Sequence, residues 1–557
     1  MGVFGNPIIA REFTNLLRSR RAIHLFVAVA AASSALVLMR WPSDAIVDLS
    51  GNQSRQVFRV FGYGMLATVL LLTPVFPATS IVREKNQGTL ALLFNSPLGP
   101  VSIFVGKLIG ALGFLAVLLM MSVPAAAALT AMGGVSPLRE IGGLYALLAL
   151  AALQNTAISL WISSRATTSD GALRWSFAAV LAVSVVAIGP HQFLQGRGTE
   201  SLLSTGAEYL RCVSPIPAAM ELMAHSDVAS QGFESRVRAA PGYPLAALAI
   251  TLAAAIATTT RLNYRIFDRA RSQGVMTHER SRGEQWARRL FFLVDPQRRT
   301  RGIAPLVNPV LVKEFRCRRF GRFHWLMRLM AASAVVSLVL TLASTTATME
   351  RGVETIGGIM VALQVALIVL LTPTLAATLI SGEVESGGWT LLQMTPMSAA
   401  RILSGKLMSV LWTLLLIIVS TLPGYLVIVW ISPESWLKVR VVLICLAWTA
   451  AFALLASATV SAFCRRAATS TTVAYVLLLS VYAGTMLIWL GRDAPFGHAM
   501  VENALRINTM AAALSVMGTP GFVTYRLIPD AWWITGGACV GFAVVLVLRA
   551  RTLTRPQ

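Results

Sequence analysis

The stretch Glu84 to Leu108, EKNQGTLALLFNSPLGPVSIFVGKL, returns as Glu383 to Leu407, EVESGGWTLLQMTPMSAARILSGKL, and each copy is wedged between long apolar runs. The matches extend beyond the two stretches at one constant offset. Thr73, Pro74, Ala78, Thr79 and Ile81 fall on Thr372, Pro373, Ala377, Thr378 and Ile380. Glu84, Gly88, Leu92, Leu93 and Pro97 fall on Glu383, Gly387, Leu391, Leu392 and Pro396, and Gly106, Lys107 and Leu108 fall on Gly405, Lys406 and Leu407. Upstream, NPIIAREF (Asn6 to Phe13) is echoed by NPVLVKEF (Asn308 to Phe315). Downstream, Arg165-Ala166 and Thr168-Ser169 are echoed by Arg466-Ala467 and Thr469-Ser470. Shared anchors in the same order predict two copies of one unit.

The solvent of those units follows from the runs between the anchors. A spanning helix needs roughly 20 mostly apolar residues, and the sequence offers about twelve such runs. They lie near 22–39, 60–82, 104–130, 141–162, 175–190 and 243–260, then 325–343, 356–380, 404–431, 441–462, 470–490 and 531–548. Of the 557 residues 56% are hydrophobic and only 13% charged, which excludes a soluble globular chain of this size. The first run imitates a secretory signal, with arginines, an apolar core and small residues. Its counterpart near 325 is internal, so the first run is read as a retained helix.

Two copies with an even number of spans share one orientation, which makes this a parallel repeat. With the N-terminus inside, the inner side carries the whole net charge of +23, as the positive-inside rule requires. The expected fold is an all-α polytopic membrane protein of two parallel six-helix repeats with cytoplasmic N- and C-termini, placed in the cell (inner or plasma) membrane. The expected division is a first unit over 1–270, a basic cytoplasmic linker over 271–305 and a second unit over 306–557. The linker contains RLNYRIFDRARSQG, ERSRGEQWARRL and DPQRRTRG within or beside it. No recognition module for nucleic acid accompanies that charge. Next to membrane spans it suits anionic membrane lipids.

Several chemistries are excluded by spacing. A phosphate loop needs GxxxxGK followed by Ser or Thr, because backbone amides wrap the phosphates while the hydroxyl holds magnesium. Val101 and Leu108 occupy those positions around Gly106-Lys107, and Ala400 and Leu407 occupy them in the second copy. No ATP or other cofactor is therefore expected on this chain. The five cysteines, Cys212, Cys317, Cys445, Cys464 and Cys539, have no metal-ligand spacing, and the six histidines are scattered. No GxSxG or HExxH frames a catalytic residue, so no enzyme activity is expected. The middles of the runs lack Asp, Glu, Lys and Arg, which argues against an ion-coupled carrier. Three amides lie at such depth, Gln154, Asn155 and Gln364. They suit interhelical hydrogen bonds or contacts along a substrate path.

A six-span unit with a short NPxxxxEF box before its first helix, and an acidic Gly-Thr-Leu turn after its second, resembles the membrane permease subunits of type-2 ABC exporters. REKNQGTLALLFNSPL, Arg83 to Leu98, carries the resemblance to the family's E-x-x-x-GTL-x-x-L-x-x-(S/T)P-L turn. The second copy keeps Glu383, Gly387, Leu391, Leu392, Thr395 and Pro396 but has GGWTL for the GTL core. The resemblance implies two permease units fused in tandem, driven by separate cytoplasmic ABC ATPase subunits, two per chain, which bind the ATP. It implies that Glu84, Lys85, Gly88 and Thr89, with Glu383, Glu385, Gly387 and Thr390, couple to those subunits. It also implies interfacial helices at the NP boxes, with Arg11, Glu12 and Phe13 in one and Lys313, Glu314 and Phe315 in the other. Ile8, Ile9 and Phe13 beside Arg11, Arg18, Arg20 and Arg21 suit an anionic interface independently. The stretches 191–242 and 491–530 are expected as re-entrant helices or small outer domains. Two other functions fit the same spans: a non-transporting scaffold or sensor derived from a permease, and an ATP-independent carrier.

Overall fold

The computed structural model describes residues 7–17, 20–39, 52–188, 190–191, 202–224, 237–262, 308–317, 353–492 and 496–554. They are helical throughout, with no strand among them. Among the described residues nine helices are long and apolar enough to cross a membrane: Ser54–Asn86, Pro100–Ala131, Pro137–Arg165, Ala239–Thr259, Gly357–Glu385, Ala399–Trp430, Pro433–Phe463, Ala467–Leu490 and Asp530–Thr552. Nine of the twelve expected runs thus coincide with long apolar helices. The run near 22–39 forms the shorter helix Ala22–Leu38. The run near 175–190 forms Ser169–Ser184, of 16 residues, followed by a single 3-10 turn, Val186–Ile188. The run near 325–343 and the linker over 271–305 lie outside the described residues.

The chain forms two compact units, Met1–Arg269 with Gly484–Val501, and Ala270–Ala483 with Glu502–Gln557. In the first, α1 (Pro7–Leu17), α2 (Arg20–Leu38) and α3 (Asn52–Leu72) lead to a break, after which α4 (Pro77–Asn86) continues toward the turn. The short α5 (Thr89–Phe94) follows, then α6 (Pro100–Met120), α7 (Val123–Ala131), α8 (Gly142–Arg165) and α9 (Ser169–Ser184). Two short helices, α10 (Leu202–Arg211) and α11 (Pro215–Leu222), precede α12 (Ala239–Thr259). The core around α8 is built of fully buried Phe58, Leu118, Leu129, Leu144 and Tyr243.

The second half repeats the order with α13 (Pro309–Cys317), α14 (Val353–Ala376), α15 (Ser381–Glu385), α16 (Gly388–Gln393) and α17 (Ala399–Ser420). Then come α18 (Leu422–Ile431), α19 (Trp436–Phe463), α20 (Ala467–Leu479), α21 (Thr485–Leu490), α22 (His498–Leu505), α23 (Thr509–Met517) and α24 (Asp530–Thr554). The described parts of 191–242 and 491–530 contain α10, α11, α22 and α23, of ten, eight, eight and nine residues. None of these is long enough to span.

Proline explains the break that both units share. Pro74 and Pro77 have no N–H to give, so α3 stops at Leu72 and α4 restarts with Pro77 in its first turn. In the second unit Pro373 stands near the end of α14, and a turn over 377–380 separates it from α15. A serine from a neighbouring helix holds the segment after each break, one turn into α4 in the first unit and at the start of α15 in the second. The Ser163 hydroxyl accepts from the backbone N–H of Ile81 and Val82, both at 3.1 Å, and Ser461 accepts from Ile380 and Ser381, both at 3.0 Å. All four backbone positions are buried. Ser461→Ala removes the shared acceptor, and we expect a loss of about 1–3 kcal/mol, the cost of a buried group left unsatisfied. Ser163→Ala should cost the same; unchanged unfolding midpoints in both variants would contradict the bracing role.

Candidate functional site

The turn between α4 and α5 is set by one glycine. Gly88 has φ 75° and Gly387, at the same place between α15 and α16, has φ 74°. A Cβ at either would meet nothing within 4 Å, so it is the left-handed backbone and not crowding that selects glycine. Thr89 Oγ1 donates to the Glu84 carbonyl at 3.3 Å, and Thr390 Oγ1 donates to the Gly387 carbonyl at 2.7 Å. Asn86 donates to the Thr167 carbonyl at 3.3 Å, and Glu385 accepts from the Ala467 N–H at 2.7 Å. Each turn is thereby tied to the start of a later helix, α9 in the first unit and α20 in the second. Lys85 is half-buried beside it.

The Gly-Lys pairs that end the quoted stretches have a structural answer. Lys107 is 3% exposed and Lys406 0% exposed, each one turn or more inside a long apolar helix. A buried ammonium must be paired, and here the partners come from both repeated motifs at once. Lys107 Nζ lies 2.8 Å from Glu84 of the turn and 3.4 Å from Glu12 of the NP box, and donates to Ser80 Oγ at 2.9 Å. Arg11 closes the ring by pairing with Glu84 and, at 3.0 Å, with Glu12. In the second unit Lys406 Nζ is 2.7 Å from Glu314 and 3.2 Å from Glu383, and Lys313 pairs with Glu383 at 2.7 Å. Two cations and two carboxylates, from three segments distant in sequence, meet in each unit. Burial alone would raise the Glu12 carboxyl, but Lys107 and Arg11 outweigh it and hold the group below the usual carboxylate value.

Small residues let the NP helices approach closely enough for these pairs. A Cβ at Gly110 would come 2.8 Å from the Glu12 Cβ, and one at Gly113 would come 2.9 Å from the Phe13 ring. At Gly405 it would come within 2.8–2.9 Å of the Asn308 amide. Asn308 caps α13 by accepting from the Val310 N–H at 3.0 Å and ties it to α17 by donating to the Arg401 carbonyl at 2.6 Å. The NP box therefore reads as cap, first-turn proline and, further on, the glutamate that meets the lysine. The Phe315 side chain lies outside the described residues.

The units differ around the cluster. In the first, a cavity of about 420 Å3 opens beside it, lined by Arg11, Ser80, Arg83, Glu84, Thr89 and Lys107 among others. Leu379 and Gly382 stand where Ser80 and Arg83 do in the repeat. The short helices carry large apolar side chains outward in both: Leu92 is 70% exposed, Leu391 68% and Met394 82%.

The three amides of the spans separate into two kinds. Gln154 accepts from the Tyr243 hydroxyl at 2.9 Å and donates to the Val213 carbonyl at 3.3 Å. Gln364 accepts from the Tyr425 hydroxyl at 2.9 Å and donates to the Thr421 hydroxyl. Both are interhelical braces of a packed bundle. Asn155, 1% exposed, has neither polar atom bonded among the described residues.

Sequence reasoning grouped Glu84 and Glu383 with the turns, and Glu12 and Glu314 with the interfacial helices. The structure joins the two groups through Lys107 and Lys406. The spacing of those lysines excludes a nucleotide role and names no other; a lysine repeated at the edge of an apolar run is the signal that points to them. Ser163 and Ser461 do not pair by sequence alone, because three extra residues separate Ser461 from Arg466 and an offset that aligns the arginines misaligns the serines.

Comparison with known families finds a match over most of the first unit. A family model described as ABC-2 family transporter protein matches residues 7–271, the NP helix, the turn and the helices that follow. No curated protein matches the chain. Over residues 7–271 this multi-pass membrane protein is similar to the ABC-2 family of transporter proteins, which supports a permease-type component in that part of the chain.

Proposed function

We propose that the chain is an ABC exporter permease in which both permease units lie in one polypeptide, each receiving the motion of a cytoplasmic ATPase subunit. The observation that carries this reading is the build of α4-α5 and α15-α16. Each ends in a short helix with exposed apolar side chains, Leu92 in one and Leu391 and Met394 in the other, and is rooted in a buried ion cluster. A lever needs both a gripping surface and a stiff root. Rigid-body alternation driven by a partner also suits spans without coupling charges of their own. ATP is bound and hydrolysed by the partner subunits, and this chain contributes no catalytic group.

The scaffold reading draws on the altered GGWTL core of the second turn. That alteration leaves Gly387 with the same left-handed backbone as Gly88, and Glu383 with the same lysine partner as Glu84. The reading is tested by offering the purified full chain candidate ABC ATPase subunits in lipid nanodiscs. Two ATPase subunits should bind per chain and their hydrolysis rate should change on binding. If no candidate binds and no rate changes, the chain is not a driven permease.

A further inference from the structure

We infer that the first unit holds a buried site for an uncharged hydrogen-bonding group on the Asn155 face of α8, and that the second unit has lost it. Asn155, Ser159 and Ser163 follow at four-residue steps and stand one above another on a single helix face. Ser163, on that face, accepts from Ile81 and Val82, so the face is turned toward α4. Above it, both atoms of the Asn155 amide and the Ser159 hydroxyl have no hydrogen-bond partner among the described residues, and the neighbouring Thr156 hydroxyl has none either. Their residues are 0–1% exposed. Thr73, which opens the break, and Ser176 on α9 are also fully buried hydroxyls without a partner. At ~1.5 Å per residue Asn155 stands about 15 Å along the axis from Arg165, near half of the ~30 Å hydrocarbon thickness.

A dry amide at that depth loses its hydration and gains nothing, a larger cost than a formed hydrogen bond is worth. Orphans gathered on one face mark a site with an occupant. Its chemistry follows from the lining, which offers an amide donor, an amide acceptor and hydroxyls but no Asp, Glu, Lys or Arg in the middle of α8. A charge placed there would find no counter-charge, so the occupant is neutral. Two sources fit, an internal water and a hydroxyl or amide of a molecule in transit; the second rests on the permease reading.

The second unit supplies the contrast. Ser461 plays the part of Ser163, and counting back along the unbroken α19 sets Ser457 against Ser159, Ala453 against Asn155 and Leu454 against Thr156. Ser457 keeps an orphaned hydroxyl, but the amide is gone. A neutral polar occupant therefore sits on one side only.

Radiolytic hydroxyl labelling, in which bound water forms the radical in place, tests this without ATPase or nucleotide, so its outcome is independent of whether the chain couples to a partner. Ala152→Cys and Ala450→Cys, at equivalent buried positions three residues before Asn155 and Ala453, are made separately in the full chain in nanodiscs, and oxidation is read at each introduced cysteine by peptide mass spectrometry. Position 152 should oxidise several-fold faster than position 450. Equal, slow rates at both overturn the site. Adding octyl glucoside, a neutral polyhydroxyl amphiphile, separates the sources: protection at 152 assigns the site to a hydroxyl-bearing passenger, and unchanged labelling assigns it to water. Asn155→Leu is the second measurement. With an occupant its unfolding midpoint falls; a rise, as expected when a dry orphan is removed, overturns the proposal.

Discussion

Lys406→Met should destabilise the second unit by about 3–5 kcal/mol, the range for breaking a buried ion pair from one side. Lys406 is the centre of its cluster, with a side chain 1% exposed and partners Glu314 and Glu383 that are 4% and 18% exposed. Methionine fills the volume but leaves Glu383 only the half-exposed Lys313 and takes from Glu314 its 2.7 Å pair. Lys107→Met should cost less, because Arg11 still pairs with both Glu12 and Glu84 and Glu12 is 24% exposed. Thermal unfolding in detergent gives the comparison. A second variant separates lost charge from lost packing: Lys406→Met combined with Glu314→Leu removes one of the two carboxylates that faced the lysine and should recover part of the loss. A loss below about 1 kcal/mol for Lys406→Met would mean that the buried cluster contributes no more than an ordinary surface pair.

The cluster also shows what could be read before any coordinates. Periodic apolar length announced nine of the long apolar helices because burying some 20 apolar side chains in lipid is a one-dimensional requirement, visible in the sequence itself. Gly88 and Gly387 were legible for a similar reason: a turn needing positive φ writes glycine at a fixed place. The joining of Glu12, Glu84 and Lys107 was not legible. It spans 95 residues between Glu12 and Lys107, and depends on how α1 lies against α6, which Gly110 and Gly113 permit but do not by themselves announce. Depth was likewise a poor guide to the amides. Gln154 and Asn155 are adjacent in sequence, yet the 100° step between them aims one at Tyr243 and leaves the other unbonded.

Leu92→Asp and Leu391→Asp together should abolish stable association with the ATPase subunits while leaving the fold intact. Each leucine is about two-thirds exposed, so the folded chain loses little packing and unfolding should shift by no more than ~0.5 kcal/mol. At a docked interface the same side chain would be a buried apolar anchor, and truncating such an anchor costs roughly 2 kcal/mol or more. A charge buried in its place costs further, so each single variant should weaken its own site by about 30-fold or more, given ~1.4 kcal/mol per tenfold. Titration of a labelled ATPase onto the chain in nanodiscs measures both sites. The single variants also address the altered second turn. Leu391 has beside it Met394, 82% exposed, where the first unit has Asn95, so the second site presents more apolar surface. Leu391→Asp should therefore leave more residual binding than Leu92→Asp. Unchanged affinity in the double variant would remove α5 and α16 from the interface, and with them the lever role proposed for the two ion clusters.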